Sequence, residues 1–528
     1  MRIDYLSKVG AAVTAFFAPP SFPHRVGGQA LVKELYPVKS VAVIGAGAGG
    51  SSAAYYLSNF LQPPQSGRKL EHTITIFEQS DKIGGRCMAF KVRNPGEKDE
   101  YVEVGASIFV RVNYNLFDAT QDFGLKTKPL DDEKLAIWDG HRFVFEESQW
   151  TFWNIWQGLR RWGLAPMKFQ RLLKKTIGNL LESYSSVESF PSVAEFMERF
   201  NLKQPAAVHS HLYLQDNNID RLFSEEVIEV ATRVNYGSNL DQIHGLGALV
   251  SMAADNALQV QDGNFQIFEG MVARSQAQVR LNTKVTRVKK LAPEYEGAES
   301  RFEITTLNGQ KDIFDAIIIA APIQSMDIDF DLDLPPLPKV NYRTVHATFV
   351  RGFVDPTYFN VASTDKFPAH ILTTNADAEF TSLSIQVKLS TGETVTKIFS
   401  PEPVPEELLD RLYTNRTWVK HKAWKAYPEL APLNLLSTES AQDAFAQLQQ
   451  DQQQVVLETL QQENQRRAAA WGQIEVVPGV FYLNSFEPLI STMETETVAG
   501  KNIARLVRDR ILGYCAAEKV DKKRRRAL

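Results

Sequence analysis

The sequence predicts an α/β fold in which a Rossmann-like dinucleotide-binding domain is interleaved with an α+β domain. First, the apolar run at residues 41–44 leads directly into G-x-G-x-x-G at Gly45, Gly47 and Gly50. Second, a credible helix at residues 51–57 is followed by another strand, residues 73–77, which ends in the acid Glu78. Third, 528 residues are enough for about two domains.

Each residue of the glycine motif has a distinct predicted task. Gly45 permits a tight turn, Gly47 lets the backbone approach a pyrophosphate, and Gly50 lets the following helix pack close to the strand. Glu78 is placed to bind ribose hydroxyls, although its separation from Gly50 is longer than usual, and residues 62–67 form the loop that absorbs the extra length. A β-turn-α unit that binds nothing is the alternative interpretation.

A second glycine segment, formed by Gly84, Gly85 and Arg86, follows shortly after Glu78. Here the chain resembles the FAD-dependent amine-oxidase and desaturase superfamily, of amine-oxidase and glutathione-reductase type, in which such a segment packs against the flavin nucleotide. Paired glycines allow close backbone approach, and a guanidinium can neutralise pyrophosphate charge. No second glycine fingerprint follows a strand, so we expect dioxygen rather than NADPH as the redox partner.

Composition excludes several other classes of function. The chain is 44% hydrophobic and 23% charged, and its net charge of −4 gives no reason to expect a nucleic acid partner. With only Cys87 and Cys515, there is neither a disulfide framework nor zinc-type spacing. His209 and His211 form the one close histidine pair, and we predict no metal site.

The two termini leave the compartment open. Arg2 and Lys8 precede an apolar run at residues 9–18, so residues 1–37 are a candidate signal or anchor. A sequon at Asn415 is compatible with the endomembrane system, and we expect an endomembrane, vacuolar-lysosomal or secretory location. Cytoplasm and peroxisome are the alternatives, because the basic tail, residues 513–528, ends faintly like a peroxisomal signal.

The remaining chain divides into alternating segments. Residues 279–288 are predicted to form a strand pair, residues 315–322 a buried strand, and residues 479–487 a strand that leads to a helix through Thr497 to Leu512. The predicted segments are FAD-binding parts at 38–130, 260–325 and 474–512, substrate-domain parts at 131–259 and 326–440, and a glutamine-rich helical insert at 441–473.

Four further stretches together resemble the prenylcysteine oxidase family, also called prenylcysteine lyase. They are residues 52–57 (SAAYYL), 233–239 (RVNYGSN), 243–251 (IHGLGALVS) and 482–484 (YLN). The resemblance spans residues 41–512 outside the insert, and its most specific part is the Asn-Tyr-Gly block at Asn235.

The resemblance implies oxidation of the carbon next to sulfur in a prenylcysteine thioether, with hydride passing to the flavin. Water then adds, prenyl aldehyde and cysteine are released, and dioxygen is reduced to hydrogen peroxide. Such chemistry asks the protein for positioning and an apolar channel. Two alternatives stay open: a relative that oxidises another apolar prenylated or terpenoid metabolite, and a binding protein that retains flavin without turnover.

The resemblance also assigns site residues. Val285 is expected to offer its backbone to the adenine, and Gly105 and Ala106 are expected to lie in the loop under the isoalloxazine ring. Three further residues are expected to approach the flavin from the C-terminal side of the chain: Glu487, Met493 and Glu494. Asn235, Tyr236 and His244 are the candidates for the active-site wall. Core packing explains these last three equally well.

An aromatic cluster gives a hint about the substrate. Trp150, Trp153, Trp156 and Trp162 lie among six lysines and arginines between residues 160 and 175. Such a segment can lie in a membrane interface, from which a lipid-derived substrate could enter, or it can be buried in the substrate domain.

Overall fold

The computed structural model describes residues 39–61, 72–130, 134–148, 151–254, 256–295, 299–335, 337, 340–362, 367–374, 378–432, 449, 452–456 and 472–512. These residues belong to one unit, Val38–Leu528. The candidate signal, the loop at 62–67, Trp150 and the basic tail lie outside the described residues. Of the glutamine-rich insert, residues 452–456 are helical.

The strands are β1 (Lys39–Ile44), β2 (His72–Phe77), β3 (Ala89–Val92), β4 (Glu100–Glu103), β5 (Thr127–Pro129), β6 (Leu135–Trp138), β7 (Phe143–Glu146), β8 (Leu258–Val260), β9 (Gln278–Arg280), β10 (Val285–Lys290), β11 (Phe302–Thr306), β12 (Lys311–Phe314), β13 (Ala316–Ile319), β14 (Asp329–Asp331), β15 (Tyr342–Val354), β16 (His370–Thr373), β17 (Ser382–Lys388), β18 (Thr394–Ser400), β19 (Tyr413–Pro428), β20 (Glu475–Val477) and β21 (Val480–Tyr482).

The helices are α1 (Ala48–Leu61), α2 (Tyr114–Asp122), α3 (Thr151–Trp162), α4 (Ala165–Glu182), α5 (Val193–Arg199), α6 (Lys203–Ala207), α7 (Ser210–Asp216), α8 (Arg221–Phe223), α9 (Glu229–Tyr236), α10 (Gly245–Ser251), α11 (Phe265–Ser275), α12 (Glu406–Leu412) and α13 (Met493–Leu512).

A six-stranded sheet in the order β20-β21-β13-β1-β2-β9 carries the glycine motif. Strands β21, β13, β1, β2 and β9 run parallel, and β20 is antiparallel to β21. The strands β1 and β13 are continuous apolar runs because both faces of a parallel sheet are covered. One face packs against α1, α13 and their neighbours, and the other packs against the sheet β12-β11-β10-β14.

The second large sheet is mixed, in the order β19-β15-β18-β17-β16-β6-β7. Its long strands β15 and β19 pair antiparallel along almost their whole length. Helices α4, α7 and α10 pack around a separate hydrophobic core. This sheet and the six-stranded sheet together confirm the predicted α/β class with an α+β second domain.

The structure refines three predictions from the sequence. The strand pair predicted at residues 279–288 is two strands in different sheets, because β9 pairs with β2 whereas β10 pairs with β11. The sheet that contains β10 continues beyond residue 325, where the predicted FAD-binding segment ends, since β14 pairs with β10. The C-terminal helix begins at Met493. Within the described residues, no helix has the length and apolar character needed to cross a membrane.

Candidate functional site

The glycine motif forms the turn at the carboxyl end of β1. Gly45 has a φ of +108°, and a Cβ added there would lie 2.7 Å from the Ala320 carbonyl oxygen. A Cβ on Gly50 would lie 2.0 Å from the carbonyl oxygen of Gly45. A larger residue at Gly45 would therefore push the turn away from the end of β13, and one at Gly50 would push α1 away from the turn. In parallel α/β sheets, ligands bind at this end of the strands.

Glu78 lies beside this turn, at the carboxyl end of β2. One carboxylate oxygen accepts the Ala46 amide at 2.8 Å, and the other accepts the amide and hydroxyl of Ser80, each at 2.8 Å. The Glu78 carbonyl accepts the amide of Thr283 at 2.8 Å, which brings the start of β10 and Val285 to the same edge. The predicted ribose and adenine contacts thus lie side by side.

The second glycine segment lies directly against the first. The Gly84 amide donates to the Ala46 carbonyl at 2.9 Å. Gly85 has a φ of +58°, and a Cβ added there would lie 3.0 Å from the Gly47 Cα. The two segments form an open backbone surface of the kind that a pyrophosphate requires.

Arg86 forms an ion pair with Glu487, which follows β21 far along the chain. The Arg86 guanidinium also donates to the Ala426 carbonyl at 2.7 Å, and one-third of its side chain is exposed. Burial disfavours the charged guanidinium, but the Glu487 and Glu496 carboxylates outweigh this cost, so the pKa of Arg86 lies above its ordinary value. Arg86 is therefore held as a cation with one partly exposed side.

Glu487 is fully buried and has several donors besides Arg86. Its carboxylate accepts the Tyr342 hydroxyl at 2.5 Å, the Asn484 amide nitrogen at 2.9 Å and the Ser491 hydroxyl at 2.9 Å. Burial alone favours the neutral acid, yet Arg86 and these hydrogen bonds hold the pKa of Glu487 below its ordinary value. Glu487 thus holds the Arg86 guanidinium in place next to the second glycine segment.

The loop predicted to pass under the flavin ring packs on the same segment. A Cβ on Gly105 would lie 2.0 Å from the Arg86 carbonyl oxygen, and the Ala106 amide donates to that oxygen at 3.4 Å. Below the loop, the ammonium of buried Lys397 donates to the Glu103 carbonyl at 3.1 Å and to the Ser107 hydroxyl at 2.9 Å. Sequence reasoning missed Lys397, which is isolated in a strand with no motif around it.

Glu103 and Lys397 are both poorly solvated. Burial raises the pKa of Glu103 to about 7, although the Asn264 amide donates to its carboxylate at 2.6 Å. Burial also lowers the pKa of Lys397 to about 8. Two groups that titrate near neutral pH therefore support the loop that carries Gly105 and Ala106.

The start of α13 supplies three residues with different surroundings. Met493 is buried in a cluster with Phe268 and Met271. The Glu494 carboxylate accepts the amides of Asn115 and Leu116, at 2.9 Å and 3.0 Å, and the Tyr184 hydroxyl at 2.6 Å. In this arrangement Glu494 caps the start of α2. Flavin contacts of Met493 and Glu494 remain predictions.

Glu496 was also missed by sequence reasoning. It lies beside Gly49 at the start of α1, and one of its buried oxygens has no hydrogen-bond partner within the described structure. Burial, followed by the neighbouring Glu487 carboxylate, raises the pKa of Glu496 to about 8. Glu487, Glu494 and Glu496 together form an acidic run whose spacing could have signalled this cluster.

Two of the three wall candidates, Tyr236 and His244, contact residues next to those of the Arg86–Glu487 network, whereas Asn235 contacts α10. Tyr236 is buried and packs edge-on against Tyr427 at 5.7 Å, and Tyr427 follows the Ala426 carbonyl that Arg86 contacts. Burial raises the pKa of Tyr236, so the phenol stays neutral. Asn235 donates to the Ser251 carbonyl at 3.2 Å.

His244 caps α10. Its Nδ1 accepts the Gly247 amide at 3.0 Å, and its Nε2 lies 3.4 Å from the carbonyl of Pro488, the residue after Glu487. The ring is fully buried, and burial lowers the pKa of His244 to about 4. A neutral imidazole with both nitrogens facing backbone fits a capping role better than proton transfer.

The residues present fit a dinucleotide-type cofactor. Two glycine segments offer backbone without side chains, Glu78 ends β2 beside the glycine turn, and Arg86 presents positive charge. Within the described residues, no group of three His, Cys, Asp or Glu side chains is arranged to hold a metal ion. The arrangement can therefore bind a redox nucleotide beside a wall of aromatic side chains.

Comparison with known families and curated proteins gives consistent matches. A family model described as prenylcysteine lyase matches residues 145–444 and 465–522, and one described as an NAD(P)-binding Rossmann-like domain matches residues 43–123. Farnesylcysteine lyase of Arabidopsis thaliana is 28% identical over 92% of this chain and 91% of its own length. Prenylcysteine oxidase 1 of Mus musculus is 25% identical over 77% and 83%, and human prenylcysteine oxidase 1-like is 24% identical over 97% and 96%.

Solved structures with a similar fold are amine oxidases. Cyclohexylamine oxidase from Brevibacterium oxydans IH-35A aligns with a TM-score of 0.56 at 14% identity, over 90% of this chain and 100% of that one. Wild-type putrescine oxidase bound to putrescine aligns with a TM-score of 0.54 at 14% identity, over 88% and 98%. At such low identity these alignments establish the fold alone.

Proposed function

Because the chain belongs to the prenylcysteine lyase family, we propose that it is an FAD-dependent oxidase of prenylcysteine thioethers. The family resemblance predicted from the sequence is confirmed by the matching family model and by relatives that cover most of the chain. The overall reaction consumes prenylcysteine, water and dioxygen, and it yields prenyl aldehyde, cysteine and hydrogen peroxide. The small apolar substrate and the oxidase chemistry follow from the named relatives.

One observation carries the proposal: Gly47, Gly85 and Gly105, from three separate loops, adjoin the Arg86–Glu487 pair. In FAD, Glu78 would hold the adenosine ribose, Gly47 and Gly85 would approach the pyrophosphate, and Arg86 would offset its charge. The loop at Gly105 and Ala106 and the start of α13 would flank the flavin ring.

When bound, the flavin accepts a hydride from the carbon next to sulfur and passes the electrons to dioxygen. The chain itself positions the substrate and lines the site with side chains that exclude water. Tyr236 and Tyr427 present neutral aromatic surface, and Trp424 lies 3.8 Å from where a Cβ on Gly105 would be. The cation left by hydride loss is shared between sulfur and the allylic double bond, so water can add without a strong base.

The test is an anaerobic titration of the purified protein with farnesylcysteine while the visible flavin band is recorded. We expect the band to bleach, then to recover on admission of air with release of peroxide and free cysteine. S-dodecylcysteine is the matched control, because it is equally apolar but has no allylic double bond to share the positive charge. Bleaching by aliphatic amines or terpenoids alone, or a flavin that responds to none of them, would refute the proposal.

The proposal also includes the cellular compartment of the protein. An endomembrane or secretory location is supported by the sequon at Asn415, which lies exposed at the start of the edge strand β19. A shift in electrophoretic mobility after endoglycosidase treatment of the natively expressed protein, abolished by Asn415→Gln, would support it. An unshifted band would favour the cytoplasm or peroxisome.

A further inference from the structure

Helix α3 and the start of α4 carry a continuous apolar surface that faces outward, which we name the α3–α4 face. Its six members, each between 40% and 58% exposed, are Trp153, Ile155, Trp156, Leu159, Leu164 and Met167. Trp153, Trp156 and Leu159 follow each other at three-residue spacing, so they lie on one side of α3. Single exposed apolar residues are ordinary on protein surfaces, but a contiguous cluster is a recognised sign of an interaction site.

Helix α3 keeps much of its apolar side outward, unlike an ordinary surface helix, which buries that side. Two of its polar residues, Asn154 and Arg161, have partners in the protein, whereas Arg160 is exposed. Asn154 exchanges two hydrogen bonds of 2.8 Å with the backbone of Ser148, and Arg161 forms an ion pair of 2.5 Å with Glu226. Glu226 also accepts the Trp162 indole N–H at 2.8 Å. These contacts fix α3 with its tryptophans outward.

The segment that carries the α3–α4 face is uniformly cationic, and the exposed Glu146 and Glu147 of the preceding segment line a groove with Trp153. Residues 148–181 contain no Asp or Glu and six basic residues: Arg160, Arg161, Lys168, Arg171, Lys174 and Lys175. Except for Arg161, none of these cations forms an ion pair with a carboxylate in the described part of the chain. The Arg160 guanidinium lies 5.4 Å from the Trp156 ring centroid, and Trp153 and Trp156 stack at 4.8 Å. Cations flank the exposed aromatic surface on both helices.

From this geometry we propose that the α3–α4 face docks the protein on an anionic lipid bilayer. Tryptophan rings favour the headgroup depth of a bilayer, and each surface lysine or arginine is attracted by anionic headgroups. A bilayer with anionic headgroups accommodates both the exposed tryptophans and a segment in which all charged side chains from position 148 to position 181 are cationic. The inference does not depend on the proposed oxidase activity.

The test is co-sedimentation of the holoprotein with vesicles of phosphatidylcholine alone or with about a third phosphatidylserine. We expect binding to the anionic vesicles that weakens between about 50 mM and about 500 mM NaCl, because salt screens the headgroup charge. The double variant Trp153→Ala/Trp156→Ala should bind at least roughly tenfold more weakly. Lys174→Gln/Lys175→Gln should lose roughly fivefold for each lysine.

Matched controls lie on the distant sheet that contains β10 and β12. Leu307→Ala/Ile313→Ala removes two exposed apolar side chains, and Lys289→Gln/Lys290→Gln removes two adjacent exposed lysines. Neither control should change vesicle binding. Brominated lipids give a direct readout in the unmodified protein: bromines near the headgroups should quench tryptophan fluorescence more than bromines deep in the acyl chains.

Three results would overturn the proposal. They are equal binding to neutral and anionic vesicles, equal losses in the control variants, and a change from dimer to monomer in Trp153→Ala/Trp156→Ala without a change in vesicle binding, which would assign the face to a second copy of the chain. Turnover of detergent-solubilised farnesylcysteine should be unaffected by these variants. A failure of docking is thereby distinguishable from a failure of the proposed function.

Discussion

At the scale of single residues, the site depends on buried ionisable groups in two different settings. Glu487 is fully buried and forms an ion pair with Arg86, and removing one member of such a pair leaves the other without compensation, which costs far more than breaking a pair on the surface. Glu103 is different, because the Lys397 ammonium donates to its backbone carbonyl and not to its carboxylate. The two settings therefore predict different effects of substitution.

Glu487→Gln keeps the shape of the side chain but removes the charge opposite Arg86. We expect the free energy of unfolding to fall by about 3 kcal/mol, because Arg86 loses its counter-charge and the Tyr342 hydroxyl loses a charged acceptor. Lys98→Gln, which breaks the exposed pair with Asp262, should cost at most about 1 kcal/mol. Chemical denaturation followed by fluorescence measures both, and equal small effects would contradict this role for Glu487.

Glu103 predicts a pH dependence of stability. Its pKa is raised from 4.5 to about 7 in the folded protein, so folding favours the protonated acid. The stability that this provides is complete below about pH 4.5 and is lost as the pH rises through about 7. Glu103→Gln should therefore gain stability relative to the parent across this range, by an amount on the order of 3 kcal/mol.

The measurement for Glu103 is the melting temperature of both proteins between about pH 4.5 and about pH 8. Glu100→Gln, on the same strand and partly exposed, is the control for loss of one negative charge. Parallel pH profiles for Glu103→Gln and the parent would show that the Glu103 carboxyl does not titrate in this range. Only the change of the melting-temperature difference with pH is informative, because the amide of the introduced glutamine adds a packing cost that does not depend on pH.

At the scale of elements, close packing of backbone determines how strands and helices meet. The turn from β1 to α1 requires glycine at Gly45 and Gly50, and α1 crosses α13 where a Cβ on Gly500 would lie 2.2 Å from the Ser52 hydroxyl. Helix α10 is instead preceded by His244, whose side chain caps its first turn. Such contacts leave little room for substitution.

Gly50→Ala tests the turn between β1 and α1. The added methyl would overlap the Gly45 carbonyl oxygen, so we expect the protein to be purified without flavin and to lose about 1–3 kcal/mol of stability or more. Gly178→Ala is the control, because nothing lies within 4 Å of its added Cβ and alanine is the better helix former in α4 by about 1 kcal/mol. Flavin absorbance per protein and melting temperature give the result. Normal flavin content in Gly50→Ala would contradict the requirement for close packing of α1 on the turn after β1.

At the scale of the whole molecule, distant parts of the chain converge on one site. Strands β1, β2 and β13 share a sheet with β21, and Glu487, close behind β21, returns to Arg86 from near the other end of the described chain. On the proposed function, a cofactor bound at this edge would contact segments from both ends of the unit. Its binding energy would therefore stabilise the fold as a whole.

Removal and return of the cofactor test this coupling. Flavin-free protein should melt at a lower temperature, and FAD at about 100 times its Kd should restore about 2.7 kcal/mol of stability. FMN is the matched control, because it lacks the adenosine ribose that Glu78 would bind. Equal stabilisation by FMN and FAD, measured by calorimetry, would contradict the assignment of Glu78.

The sequence by itself determined the Rossmann-like fold, the glycine turn, the position of Glu78 at the end of the second strand, and the family. These features are local: a strand, a turn and a helix that follow one another directly require glycine where a Cβ would clash, and the pattern is visible without tertiary contacts. Only the tertiary structure decided that Arg86 pairs with Glu487, that Lys397 lies under Glu103, and that His244 is a cap. Those contacts join residues that are far apart in the chain or depend on complete burial, and no short-range pattern encodes either property.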